Sequence, residues 1–201
     1  MKKTGFKILV IALVLNLQLQ AQPIARAVIK DENVMIEENF ADKASIYNFK
    51  VTDLQGKTFD FASLKGKKII IVNTASKCGL TPQYKLLESI FQQYKDKNLV
   101  IVGFPANNFA SQEPGTNSEI ESFCRLNYGV SFLMMSKVSV KGADICPVYQ
   151  FLTQKSKNGL ADSDVEWNFQ KYLIGTNGHL EKVISPRILP TDAAIVGWIE
   201  K

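Results

Sequence analysis

The chain has 201 residues, 46% of them hydrophobic, and a formal net charge of +5. This length and hydrophobic content predict one domain with a substantial core. The three cysteines are too few for a disulfide scaffold, and the positive charge does not indicate a nucleic-acid partner, because much of it lies near the amino terminus.

The amino terminus has the pattern of a secretory signal peptide. Lys2, Lys3 and Lys7 precede the apolar run Ile8–Leu15, and the chain then becomes polar. This run is shorter than the roughly 20 residues that a membrane-spanning helix needs, so an uncleaved anchor is the less favoured alternative. We therefore predict a signal peptide over residues 1–21 and export to the periplasm or the cell exterior.

Removal of residues 1–21 would take away three lysines and no acid, which lowers the net charge from +5 to +2. The cleavage site could instead follow the triplet Ala25-Arg26-Ala27. Residues 22–45 are polar and lack periodicity, which predicts a flexible leader before a domain over residues 46–201.

The first half of the domain has the pattern of a hairpin followed by a βαβ unit. A hairpin is predicted over Ile46–Phe61, with its turn at Gln55-Gly56, and a helical turn over Ser63–Gly66. Two short apolar runs then predict buried parallel strands on either side of an amphipathic helix. In order these elements are Ile69–Val72, a helix with Thr81 as N-cap and Pro82 as first residue, and Asn98–Phe104.

The second half alternates helices with short strands. We predict helices over Thr116–Asn127, Pro147–Leu152 and Asp192–Glu200, and strands over Lys137–Val140, Val165–Ile174 and Leu180–Ile184. The last two strands are expected to form a hairpin with its turn at Asn177-Gly178. A βαβ half followed by a ββα half predicts an α/β thioredoxin-like fold, a central mixed sheet flanked by helices.

Cys78 lies between the end of a predicted buried strand and the start of a helix. Most free cysteines are simply buried apolar residues. Here the neighbours Ser76, Lys77 and Gly79 are not typical core residues, and the carboxyl edge of such a sheet commonly carries the chemistry. Nearby backbone N–H groups, the positive end of the helix dipole and Lys77 favour the thiolate form. We therefore expect Cys78 to be reactive.

Several kinds of cysteine chemistry do not fit the sequence. A dithiol oxidoreductase needs a second cysteine close to the first, and Cys78 is followed by Gly79, Leu80 and Thr81. A cysteine protease needs a histidine base, but the single histidine, His179, lies in a predicted turn. Three scattered cysteines do not form a metal site, and no cofactor is expected. What remains is a thiolate that acts without an adjacent base, helped by neutral hydrogen-bond donors.

Three segments carry a resemblance to a known family: NTASKCGLTPQY, GFPANNFASQEPGTNSEI and VEWNFQKYLI. In this order and at these distances they resemble the signature segments of glutathione peroxidases. The resemblance implies a thioredoxin-like fold and thiol-dependent reduction of hydrogen peroxide and organic hydroperoxides. It places the peroxidatic cysteine at Cys78, and its hydrogen-bond donors at Gln112, Trp167 and Asn168.

The chain departs from the family pattern at several positions. It has Ala106 and Asn108 where many relatives have cysteine and glutamine, so a resolving cysteine at position 106 is absent. Cys124 is then the candidate to resolve the sulfenic acid on Cys78, with a thioredoxin-like protein as reductant. Its neighbours Ile120 and Phe123 equally suit a buried cysteine on a helix face, in which case glutathione or another small thiol would resolve directly.

The resemblance also bears on assembly and on alternative functions. Tetrameric relatives have an extra loop between the segments found here at Lys155 and Val165, so the short connection favours a monomer. A peroxide-sensing relay that passes a disulfide to a partner protein is the alternative function. A disulfide-exchange factor is disfavoured by the missing paired cysteine.

Overall fold

The computed structural model of the protein describes residues 44–201. The predicted signal peptide and residues 22–43 of the predicted leader lie outside the described residues. Ala44 and Ser45 are buried, and the Ser45 hydroxyl accepts a hydrogen bond from the Tyr47 amide at the start of a 3₁₀ helix, Ile46–Asn48. No helix within residues 44–201 is both long and apolar enough to cross a membrane.

The centre of the domain is a five-stranded mixed sheet. Its strands are β3 (Lys68–Thr74), β4 (Leu99–Pro105), β5 (Leu133–Met134), β6 (Lys171–Ile174) and β7 (Leu180–Ile184), and a separate hairpin pairs β1 (Lys50–Thr52) with β2 (Thr58–Asp60). The sheet order is β5-β4-β3-β6-β7, with parallel pairing on the β5 side of β3 and antiparallel pairing on the β6 side. The predicted hairpin, βαβ unit and mixed sheet are confirmed.

Helices cover both faces of this sheet. They are α1 (Gln83–Tyr94), α2 (Asn117–Tyr128), α3 (Pro147–Thr153), α4 (Lys155–Asn158) and α5 (Ala193–Ile199). Two further 3₁₀ helices are Phe61–Leu64 and Lys95–Lys97. Helix α2 begins with a complete capping box, in which the Thr116 side chain accepts from the Glu119 amide and Glu119 accepts from the Thr116 amide.

The core forms two apolar clusters because successive side chains of a strand point to opposite faces of the sheet. Ile70 and Val72 of β3 pack with α1, α2 and α5, whereas Ile69 and Ile71 pack on the other face with α3. All four side chains are fully buried, which contributes about 1.5 to 3 kcal/mol each. The continuous apolar run in the sequence therefore reflects a strand covered on both sides.

Two predicted strands are wrong in position. Residues 137–140 are not a strand, because the amides of Lys137 and Val140 donate to the side chains of Asn117 and Asn108 instead of to a neighbouring strand. The edge of β4 is instead paired with β5, which the sequence analysis did not predict.

The strand predicted over Val165–Ile174 begins only at Lys171. The preceding backbone is irregular, since Phe169 has a left-handed φ of 68° and the Glu166 amide donates to the Gln170 side chain. The predicted turn at Asn177-Gly178 does connect β6 and β7, and Gly178 takes a φ of 83° there, which favours glycine.

Candidate active site

Cys78 lies in the turn between β3 and α1 and is almost buried, with 9% of its surface exposed. The Leu80 amide donates to Cys78 Sγ at 3.3 Å. The turn is held by Thr81, whose hydroxyl accepts from the Cys78 amide at 3.0 Å and donates to the Ala75 carbonyl at 2.9 Å. These hydrogen bonds hold the sulfur and the turn that carries it in one arrangement.

The predicted start of α1 needs correction. The helix begins at Gln83, with Pro82 in the N-cap position and no side-chain cap. Thr81 does not cap the helix, because its hydroxyl is already committed to the turn around Cys78. Thr81, the residue expected to cap the helix, thus stabilises the turn that carries Cys78 instead.

The cysteine opens onto a cavity of about 670 Å³. Its lining residues are Cys78, Gly79, Leu80, Glu166, Trp167, Ser185, Pro186 and Arg187. The Trp167 side chain remains 37% exposed, and its ring packs against Phe109 with 5.3 Å between ring centroids. Trp167 and Cys78 line the same cavity, and an indole N–H is a hydrogen-bond donor that can serve an oxygen bound there.

Gln112 and Asn168 form a hydrogen-bonded pair next to this turn. Asn168 Nδ2 donates to Gln112 Oε1 at 2.9 Å, and the Gln112 carbonyl accepts from the Lys77 amide at 3.0 Å. Because its oxygen is an acceptor here, the Gln112 side chain is oriented with its NH₂ group available as a donor. Asn168 is fully buried and can orient Gln112 through this bond, while its role as a donor to the peroxide stays a prediction.

Asn73 is a site residue that the sequence analysis missed. It is fully buried near the end of β3, and its Nδ2 donates to the Trp167 carbonyl at 3.0 Å. Its Oδ1 accepts from the Gln170 amide at 3.1 Å, and its carbonyl accepts from the Phe169 amide. One strand residue therefore holds the segment that carries both Trp167 and Asn168. The available signal was an asparagine at the end of an apolar strand.

A buried carboxyl group adjoins this arrangement. Glu113 follows Gln112 directly and is 1% exposed, and its amide donates to Asn107 Oδ1 at 2.8 Å. Burial raises the pKa of its carboxyl above the ordinary value, and contacts with Ser76 oppose part of that rise. This carboxyl is therefore more easily protonated than an exposed one.

Cys124 lies on α2 with 2% of its surface exposed, in the same apolar cluster as Cys78. Burial raises the pKa of its thiol to about 11, although a contact with the Tyr84 hydroxyl opposes the rise. Cys78, Cys124 and Cys146 are all free thiols. In this reduced state Cys124 is a buried core residue on the inner face of α2.

The other candidate groups remain apart from this site. Cys146 is half-buried at the start of α3, and burial raises the pKa of its thiol. His179 follows the turn between β6 and β7, where its amide donates to Asn177 Oδ1. Within residues 44–201, no group of three or more histidine, cysteine, aspartate and glutamate side chains is placed to hold a metal ion.

The glutathione peroxidase family model matches residues 46–153, a range that contains Cys78, Gln112 and Cys124. The chain belongs to the glutathione peroxidase family. Among curated proteins it is similar to glutathione peroxidase-like peroxiredoxin gpx1 of Schizosaccharomyces pombe, at 49% identity over 67% of this chain and 84% of the relative. It is also similar to the glutathione peroxidase of Lactococcus lactis, at 44% identity over 74% of this chain and 94% of the relative.

Solved structures show the same relationship. The crystal structure of Trgpx in apo form is 35% identical, with a TM-score of 0.61 over 78% of this chain and 96% of that chain. A thioredoxin-family thiol:disulfide interchange protein from Chlorobium tepidum has a TM-score of 0.51 over 75% of this chain and 89% of that chain, but at 19% identity it shows the fold alone. The predicted thioredoxin-like fold is confirmed. As a member of the glutathione peroxidase family, the protein is a thiol-dependent peroxidase.

Proposed function

We propose that Cys78 is the peroxidatic nucleophile of this glutathione peroxidase. The observation that carries the proposal is that Cys78 Sγ, which accepts a hydrogen bond from the Leu80 amide, lines a cavity together with the partly exposed Trp167. A hydroperoxide in this cavity can reach the sulfur while its oxygens meet neutral donors.

In the first step, the thiolate attacks one peroxide oxygen. A sulfur–oxygen bond forms and the oxygen–oxygen bond breaks, so Cys78 is oxidised to a sulfenic acid and the peroxide is reduced to water or an alcohol once the departing oxygen is protonated. Negative charge develops on that oxygen. We assign its stabilisation to the indole N–H of Trp167 and the amide NH₂ of Gln112, because preorganised donors of this kind lower such barriers by about 3 to 4 kcal/mol each.

We propose that the sulfenic acid is then resolved by Cys124, with an external small thiol such as glutathione as the other candidate. Attack of Cys124 Sγ on Cys78 Sγ forms a disulfide and releases water. The two Cα atoms must come within about 7 Å for this bond, and we propose that local unwinding of α2 around the buried Cys124 brings its sulfur to Cys78. A thioredoxin-like protein or another dithiol would then restore both thiols.

The test is mass spectrometry of the reduced protein after one equivalent of hydrogen peroxide. The two-cysteine cycle predicts loss of two hydrogen atoms, with their electrons passing to the peroxide, and a peptide linking Cys78 to Cys124, absent in Cys124→Ser but retained in the matched control Cys146→Ser. If Cys78 is instead found only as a sulfenic or sulfinic acid, Cys124 does not resolve it, and an external thiol takes that role. A Cys78 that stays reduced would contradict the assigned nucleophile.

We also propose that the protein is exported and monomeric. Export is supported by the basic and apolar pattern of residues 1–21, and the monomer by the short connection between Lys155 and Val165. Amino-terminal sequencing of the protein from its host tests the first, with cleavage after Ala21 or Ala27 expected. Light scattering tests the second, and a tetramer mass would contradict it.

A further inference from the structure

Lys171, the first residue of β6, is a fully buried lysine. Its Nζ donates to two backbone carbonyls, that of Pro186 at 3.1 Å and that of Ile188 at 2.5 Å. Within residues 44–201, no carboxylate lies within ion-pair distance of this amine. The side chain is therefore directed entirely at the segment between β7 and α5.

A second buried side chain reaches the same carbonyl from another element. Gln83, the first residue of α1, is 3% exposed, and its Nε2 donates to the Pro186 carbonyl at 2.8 Å. The Pro186 carbonyl thus accepts hydrogen bonds from β6 and from α1 together. Both elements belong to the sheet and helix that frame Cys78, so the segment is fastened to the same framework as the cysteine.

This segment forms one wall of the Cys78 cavity. Ser185, Pro186 and Arg187 line it together with Cys78 and Trp167. The other polar side chains of this wall hold it less firmly. The Ser185 hydroxyl makes only a long contact of 3.5 Å with Glu166 Oε2, and Arg187 is exposed. Lys171 and Gln83 are the buried side chains whose hydrogen bonds set its position.

A buried lysine without a carboxylate is costly, because the ammonium loses its hydration. Burial lowers the pKa of Lys171 from 10.5 to about 7. An apolar side chain of similar length would avoid this cost at a position whose strand neighbours are Val72 and Ile184. We therefore expect the buried amine to have a functional benefit that offsets this free-energy cost, and the cavity wall to which it donates is the place to look for it.

We propose that Lys171 is a positioning residue which, together with Gln83, holds residues 185–188 as the wall that orients bulky organic hydroperoxides for attack by Cys78. This inference rests on the proposed role of Cys78. The cavity is far larger than hydrogen peroxide, and Leu80, Trp167 and Pro186 give it apolar surfaces. A large apolar hydroperoxide must rest against the wall to present its terminal oxygen to Sγ, whereas hydrogen peroxide reaches the sulfur without it.

The experiment compares cumene hydroperoxide with hydrogen peroxide in the full reduced protein. Rapid quenching, alkylation and mass spectrometry give the rate constant of Cys78 oxidation for each peroxide. For both Lys171→Met and Gln83→Met, we expect the ratio of the cumene hydroperoxide constant to the hydrogen peroxide constant to fall about tenfold. Thr153→Val, which removes a buried hydrogen bond to the Tyr149 carbonyl on the other face of the sheet, is the matched control and should keep the wild-type ratio.

The outcomes separate this inference from the proposed function. A wild-type protein whose Cys78 stays reduced overturns the proposed function and the inference with it. A reactive wild type with an unchanged ratio in Gln83→Met, or in a folded Lys171→Met, overturns the inference alone. An equal fall of the ratio in Thr153→Val also overturns it, because general loosening of the domain would then explain the effect.

Discussion

The buried amine of Lys171 makes a sharp prediction about stability and pH. The perturbation is Lys171→Met, which removes the titrating group while keeping an unbranched side chain of similar length. Burial lowers the pKa of this lysine from 10.5 to about 7, so between these two values the unfolded chain binds a proton that the folded protein lacks. The stability of the wild type must therefore rise with pH in this window.

The size of the effect follows from the shift. One pKa unit corresponds to about 1.4 kcal/mol, so the ammonium costs the folded protein up to about 5 kcal/mol below pH 7. About 2 kcal/mol of that cost disappears between pH 7 and pH 9. The methionine variant has no ionisable group at this position and therefore no such pH-dependent cost. Its lost hydrogen bonds to the Pro186 and Ile188 carbonyls shift its stability by a nearly constant amount.

The assay is urea unfolding of both proteins at pH 6, 7, 8 and 9, with the free energy of unfolding extrapolated to water. Subtracting the two curves removes the contribution of the titrating groups that both proteins share, including Cys124. We expect the variant to lose about 2 kcal/mol relative to the wild type from pH 7 to pH 9, and much less from pH 6 to pH 7. Parallel curves across the whole range would refute the reasoning, because Lys171 would then titrate at its ordinary pKa.

Four further changes test other parts of the structure. Asn168→Leu should slow Cys78 oxidation about tenfold by releasing Gln112, and an unchanged rate in stopped-flow measurements would argue against that orienting role. Iodoacetamide at pH 8 should alkylate Cys124 only after unfolding, because burial raises its thiol pKa to about 11, and rapid labelling of the native protein would contradict this. Because burial raises the pKa of Glu113 in the folded protein, the stability that its carboxyl contributes is lost as pH rises through that folded-state pKa. The substitution Glu113→Gln should therefore be more favourable to stability at pH 8 than at pH 4. Equal effects at the two pH values in urea unfolding would count against a shifted pKa. Thr116→Ala should cost about 1 kcal/mol by removing the α2 cap, measured by the same unfolding assay, and a neutral change would show that the capping box contributes little.

Parts of the fold that depend on local pattern were predictable. The run Ile69–Val72 indicated a strand buried on both faces, and the spacing of Tyr84, Leu87 and Ile90 indicated the inward face of α1. The short strands near Leu133 and Lys171 were not placed correctly. Over residues 137–140 and just before β6, the amides of Lys137, Val140 and Gln170 donate to asparagine side chains from distant segments, and local propensity carries no record of such partners.

The candidate site divides in the same way. The position of Cys78 between a buried strand and a helix indicated reactivity, and the resemblance assigned roles to Gln112, Trp167 and Asn168. Their arrangement could not be foreseen. In the structure the fully buried Asn168 donates to the partly exposed Gln112, so the two amides that the sequence presented as equivalent donors differ in burial and in hydrogen bonding.

By itself, the sequence determined the family and the thioredoxin-like class of fold and pointed to the cysteine that we propose as the nucleophile, because motifs and hydrophobic periodicity are local properties of the chain. Tertiary structure alone decided which buried polar side chains support that cysteine. Asn73, Gln83 and Lys171 look like ordinary strand and helix residues in the sequence, yet each is buried and donates to a backbone carbonyl brought close only by folding. Buried polar groups must find partners wherever the chain passes, and that pairing is a property of the folded molecule.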